Sequence, residues 1–233
     1  MDPVTGFSRR ALLALAGAVV LGIVAGTAAT VIDARAEEAC PDPKYGCAAL
    51  EPGQPIVIGA LFPSEEEGGF GVQAALLSRG TLLGHRLQPV SLDGRCSTEG
   101  AAEAARDFAT EPSDGPPVVA VVGETCSQAE IPVAQILDDW GITFISAVEP
   151  AHVPAPVEYY LAGPGPGEPG SRSVVANLDT PRTLGRTELA AFRATDAVLD
   201  AVGRVAVEDE GVLLVPRAQL RDALIEGGLS PAS

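Results

Sequence analysis

Val118-Val119-Ala120-Val121-Val122 is apolar at every position, and few folds can accommodate it. A strand with one wet face alternates apolar and polar residues. A mostly β-branched run without alternation suits a strand covered on both faces, as in a parallel sheet. Neighbouring segments extend the pattern. Ile56 to Phe62 is an apolar run of strand length that Pro63 stops, and Gly84 turns the chain into a second strand from Leu87 to Leu92. Ile142 to Ser146 reads as a further strand, and Glu158 to Leu161 as a short last one. Between them, Val72–Ser78, Ala-rich Thr98–Thr110 and a segment from Ser127 to about Trp140 read as helices. Strand and helix in strict alternation predict an α/β fold built on a doubly wound parallel sheet. Aromatic residues are only 4% against 46% hydrophobic overall, so the core must be Ala, Val, Leu and Ile.

Ligands of such sheets sit beyond the carboxyl ends of the strands. That rule puts Phe62–Gly71, Asp93–Cys96, Gly123–Ser127 and Ser146–His152 on one rim. Ser127, opening a helix, has two readings there. It can cap the helix, or its hydroxyl and the adjacent backbone N–H groups can hold an anion. Residues from Ala162 to Thr183 are rich in Gly and Pro and read as a linker. Glu188 to Val205 is a helix with an apolar stripe at Leu189, Phe192, Val198, Leu199 and Val202. Pro216 opens a last helix through Ile225, and Gly227-Gly228 ends it.

Before the sheet, Ser8-Arg9-Arg10 precedes an apolar run from Ala11 to Ile32, and Ala34-Arg35-Ala36 offers a small-residue cleavage site. This is the pattern of an export signal. The run also reaches the roughly 20 residues that cross a bilayer, so a cleaved signal and a retained membrane anchor are both open. Either leaves the rest of the chain outside the cytoplasm, periplasmic or at the cell surface. Four cysteines, Cys40, Cys47, Cys96 and Cys126, agree with an oxidising compartment. Three pairings are open to them. Cys40 with Cys47 would close a small Pro-rich loop, and Cys96 with Cys126 would join two strand-end loops. Metal binding wants closely spaced Cys or nearby His, and only His85 and His152 exist.

A formal charge of −16 repels phosphate backbones and excludes nucleic acid as a partner. Gly165-Pro166-Gly167-Glu168-Pro169-Gly170 fits a dinucleotide fingerprint by letter. Its prolines remove the N–H groups that would cradle pyrophosphate, and no helix follows. Neither cofactor nor catalytic constellation is legible, so the expectation is a non-enzyme.

Cys40 to Pro43 with Cys47, Pro55 to Ala60, Leu83 to His85, Leu92 to Gly100, Val121 to Ser127, Ala197-Val198 and Leu220 to Leu224 together resemble one known family, the leucine/isoleucine/valine-binding proteins of the type I periplasmic binding fold, substrate-binding components of ABC importers. Cys40-Pro41-Asp42-Pro43 with Cys47, then Pro55-Ile56-Val57-Ile58-Gly59-Ala60, resembles the mature start of that family. Leu83-Gly84-His85 resembles its turn into the second strand. Leu92-Asp93-Gly94-Arg95-Cys96-Ser97-Thr98-Glu99-Gly100 and Val121-Val122-Gly123-Glu124-Thr125-Cys126-Ser127 resemble the loops carrying its two disulfide cysteines. Ala197-Val198 and Leu220-Arg221-Asp222-Ala223-Leu224 resemble its final helices.

The resemblance implies a Cys96–Cys126 disulfide and a small amino acid or similar solute as ligand, with an ABC permease as partner. It implies Ser127 at the ligand carboxylate, Phe70 as an aromatic ligand contact or loop packing, and Val148 as a backbone contact. Two departures bear on binding. Pro150 stands where the family has a ligand-binding threonine, and it has neither hydroxyl nor N–H; Glu149 beside it adds negative charge. The second lobe, with the family's acidic ammonium partner, is nearly absent. The implied organisation is residues 1–36 as export signal or membrane anchor and 37–54 as a leader closed by Cys40 and Cys47. Residues 55–161 form the α/β lobe, 162–186 a linker, and 187–226 terminal helices left from the second lobe. The expectation is a substrate-binding-protein-like module with binding weakened or lost. The alternative is an exported single-lobe scaffold for a protein partner, or a non-binding remnant.

Overall fold

A computed structural model describes Cys40 and residues 44–63, 68–110, 115–123, 126–147, 157–163, 174–175 and 182–232. The export segment, residues 1–36, lies outside the described residues. Among those described, no helix is long and apolar enough to cross a membrane.

The central sheet has seven strands. β2 (Ile56–Leu61) pairs in parallel with β4 (His85–Leu92) on one side and β5 (Val118–Gly123) on the other. β6 (Thr143–Ser146) and β7 (Tyr160–Ala162) continue beyond β5, both parallel. Short antiparallel strands finish the edges: β3 (Thr81–Leu82) beside β4, and β12 (Ser230–Pro231) beside β7. The order β12-β7-β6-β5-β2-β4-β3 reverses direction between β2 and β5. That is the topological switch of a doubly wound sheet, where a crevice opens at the carboxyl edge. All residues of β2 and β5 are buried, as their unbroken apolar runs require.

Helices cover both faces. α2 (Thr98–Ala109) and α3 (Ser127–Asp139) pack on one, where Phe108, Val133 and Leu137 meet Val57, Leu61, Val121 and Phe144. Ser97 caps α2, its hydroxyl accepting from the Gly100 N–H at 3.1 Å. The other face carries α1 (Phe70–Arg79), α4 (Arg186–Val205) and α5 (Arg217–Glu226). There Val72, Leu76, Val198, Leu199 and Leu224 meet Ile56, Ile58, Val122 and Ile145. Val119 departs from the alternation. The register shifts beside it, so that Val57 faces Val118 while Ile58 faces Ala120.

The C-terminal helices, expected as a remnant of a second lobe, thus lie on the sheet. The contact of α1 with α4 is close. A Cβ added at Gly71 would come within 2.0 Å of the Glu188 carbonyl oxygen. Arg79 of α1 bridges to Asp196 and Asp200 of α4 at 2.6 and 2.7 Å. The hydrogen bond to Asp196, then that to Asp200, hold this guanidinium above its ordinary pKa.

A second sheet joins segments far apart in sequence. β1 (Cys47–Leu50) lies antiparallel to β11 (Val212–Pro216), which forms a hairpin with β10 (Val207–Asp209). Leu50, Leu213 and Val215 share the core of the α4 face. β8 (Val174–Val175) and β9 (Arg182–Thr183) form a small ribbon. Most of the expected linker lies outside the described residues.

Candidate functional site

The amino edge of the sheet is structural. Tyr45 of the leader packs edge-on to Tyr159 with ring centroids 4.9 Å apart. Its Cβ and ring also lie against Gly141. Lys44 sits over the Tyr45 ring and donates to its hydroxyl, while Arg221 sits over Tyr159. The Asp138 carboxylate accepts the N–H groups of Glu158 and Tyr159 at 2.6 and 2.8 Å, fixing the entry to β7. Cys40 and Cys47 are bonded, with Cα atoms 5.6 Å apart, and close the leader at this edge.

The carboxyl edge carries the rim. Strand ends are knitted there by backbone hydrogen bonds: Phe62 N–H to Leu92 O at 3.3 Å, and Ala147 N–H to Gly123 O at 2.9 Å. Gly123 is required, because a Cβ would meet the Leu61 carbonyl oxygen at 2.0 Å across the switch point. Cys96, after β4, is bonded to Cys126, immediately before α3, with Cα atoms 5.4 Å apart. Both disulfides expected from the sequence are therefore present, and the described residues hold no free cysteine. A cavity of about 250 Å³ opens beside this edge, between Phe62, Pro63 and Gly69 on one side and Ser91, Leu92 and Asp93 on the other. Its walls are apolar with one hydroxyl and one carboxylate, and it is open to solvent.

Ser127 is the first residue of α3 and not its cap; Cys126, with extended backbone, holds the cap position. The crosslink to Cys96 is thus carried by the residue just outside the helix. The Ser127 side chain, Val148 and Pro150 lie outside the described residues. Phe70 opens α1, half-buried, and packs with Ala74, Leu184, Leu189 and Phe192. It helps seat α4. Among the described residues no group of His, Cys, Asp and Glu could hold a metal ion.

Glu130 escaped the sequence reading. It is fully buried in the first turns of α3. The Ser146 hydroxyl, at the end of β6, donates to its Oε1 at 2.5 Å, and the Tyr160 hydroxyl of β7 donates to its Oε2 at 2.6 Å. One carboxyl group thus fastens the start of α3 to two strand ends. The signal was available: Glu130 lies on the same helical stripe as Val133, Ala134 and Leu137, all buried.

Residues 74–158 match the receptor family ligand binding region. No curated protein sequence matches the chain. Among solved structures, a substrate-binding protein of an ABC transporter from Desulfitobacterium hafniense, in complex with Leu, is 23% identical over 47% of this chain and 34% of its own, with a TM-score of 0.40. A leucine-binding protein from Thermotoga maritima is 21% identical over 46% of this chain and 32% of its own, TM-score 0.38. The branched-chain amino acid transporter substrate-binding protein of Streptococcus pneumoniae, in complex with isoleucine, is 24% identical over 47% and 33%, TM-score 0.37. The match spans about a third of each of these longer chains. On a doubly wound parallel sheet with a disulfide at its carboxyl edge, residues 74–158 are thus similar to the receptor family ligand binding region.

Proposed function

We propose that this chain is an extracytoplasmic, non-enzymatic component of the branched-chain amino-acid type of ABC importer, a substrate-binding-protein-like lobe whose ligand binding is weakened or lost. The observation that carries the reading is the Cys96–Cys126 crosslink. It holds the loops after β4 and β5 together at the topological switch, beside the first turn of α3. A switch-point crevice is where an open α/β sheet takes a small ligand, and N–H groups of a first helical turn suit a carboxylate. The ligand class is a small amino acid or similar solute, with Ser127, Phe70, Val148 and Pro150 as the residues around it. The partner is an ABC permease, and the membrane itself if the segment before residue 37 is retained. Weak binding follows from Pro150, which offers neither N–H nor hydroxyl.

Titration calorimetry of the exported protein with leucine, valine and small polar amino acids tests the reading. Heat of binding at millimolar or lower concentration is the expected result for a working lobe. Absence of heat with all of them, together with a stable oligomer by light scattering, favours the second reading: an exported scaffold that binds a protein partner.

A further inference from the structure

The two disulfides differ in the backbone that carries them. Among the described residues around Cys40–Cys47 the one in left-handed conformation is Gly46, at φ +57°, where glycine is at ease. Around Cys96–Cys126 the left-handed positions are Arg95 and Cys96 themselves, at φ +54° and +45°. Two consecutive side-chain-bearing residues in that region each cost on the order of 1 kcal/mol or more, and persist only when the surroundings enforce them. The enforcing contacts are visible. The Asp93 carboxylate accepts the Arg95 N–H at 2.6 Å, the Gly94 carbonyl accepts the Ser97 N–H at 3.1 Å, and the sulfur bridge ties Cys96 to the cap of α3. The Arg95–Glu103 ion pair, with both side chains mostly exposed, adds little. Cys96 is exposed to solvent, so a reductant can reach it.

We propose that Cys96–Cys126 is a redox-sensitive latch on the rim, opened by a dithiol while Cys40–Cys47 stays closed. A thiolate of the dithiol attacks the Cys96 sulfur and releases the Cys126 thiolate. The second thiol then attacks the mixed disulfide and releases Cys96. The dithiol leaves as its cyclic disulfide, and its two protons end on the cysteines. Opening lets Arg95 and Cys96 leave the left-handed conformation. The latch borders the cavity that Asp93 lines, so opening loosens one wall of the rim. The inference does not depend on amino-acid binding.

The test uses the full oxidised chain in a series of dithiothreitol buffers of graded reduced-to-oxidised ratio. Alkylation by iodoacetamide and peptide mass mapping read each pair separately, with circular dichroism following the fold. Half-reduction of Cys96–Cys126 is expected at a ratio about tenfold less reducing than that of Cys40–Cys47, with the fold intact. Arg95→Gly, which removes one strained position and leaves both sulfurs, is expected to shift that midpoint several-fold toward more reducing buffers. Reduction of both pairs at one ratio, or of the rim pair only as the chain unfolds, overturns the proposal. An unmoved midpoint in Arg95→Gly overturns the strain that drives it.

Discussion

Glu130 is a buried carboxyl group that joins α3 to β6 and β7. Its two carboxyl oxygens each receive a buried hydroxyl, from Ser146 and Tyr160. Replacing it by Ala strands both donors, and each unsatisfied buried group costs about 1–3 kcal/mol. Glu130→Ala is therefore expected to lower unfolding free energy by about 3 kcal/mol in a urea titration. Glu130→Gln keeps a carbonyl acceptor in place and should lose less than half of that. Equal losses in the two variants would show that the side chain's volume matters and its hydrogen bonds do not. This residue also marks a limit of sequence reading. A carboxyl on an apolar stripe is visible in the letters, but its partners sit on strands 16 and 30 residues away. Only the fold brings them together.

Where α1 crosses α4, the backbones approach so closely at Gly71 that a side chain has no room. Gly71→Ala would gain up to about 1 kcal/mol of helix propensity. The new methyl would also press on the Glu188 carbonyl, which is backbone and cannot swing aside. Overpacking costs about 1–3 kcal/mol, so a net loss of about 1–2 kcal/mol is expected, read as a lowered thermal midpoint. A stabilised variant would mean that the helices separate freely. The elements legible in the sequence were those whose identity is local. β2 and β5 are unbroken apolar runs, and α2 and α4 are long amphipathic segments whose ends fall within two residues of the reading. α1 proved longer than the expected Val72–Ser78, and β7 sits one to two residues later than expected. The strands β1, β3, β10, β11 and β12 were not read at all. They are two to five residues long, and what makes β1 a strand is a partner in the last quarter of the chain. Glu208-Asp209-Glu210 hid the hairpin further, because acidic residues are poor strand formers.

On the whole molecule, α4 and α5 join α1 in covering one face of the central sheet. Ile56, Ile58, Val122 and Ile145 are fully buried beneath that layer. A chain ending at residue 181 would expose them to water, and a central strand of this kind has no wet face to offer. Such a truncation is expected to bind a hydrophobic dye and to melt without a cooperative transition. A sharp melt comparable to that of the full chain would show that α1 and the sheet suffice. The sequence pointed to the α/β class and to the rim, because strand–helix alternation is a local signal repeated several times. It did not point to the destination of the last helices, because an amphipathic helix states that it has an apolar face and not which surface that face meets.

The pairing of β1 with β11 has a consequence for how this protein is made. The strand nearest the start finds its neighbour only when residues 212–216 arrive. Until then, an emerging polypeptide has a leader clipped by its own sulfurs, with Tyr45 against Gly141 and Tyr159 but without its strand partner. Synthesis or translocation stalled near residue 200 should leave that leader open to proteases, and release of the final few dozen residues should seal it in one step.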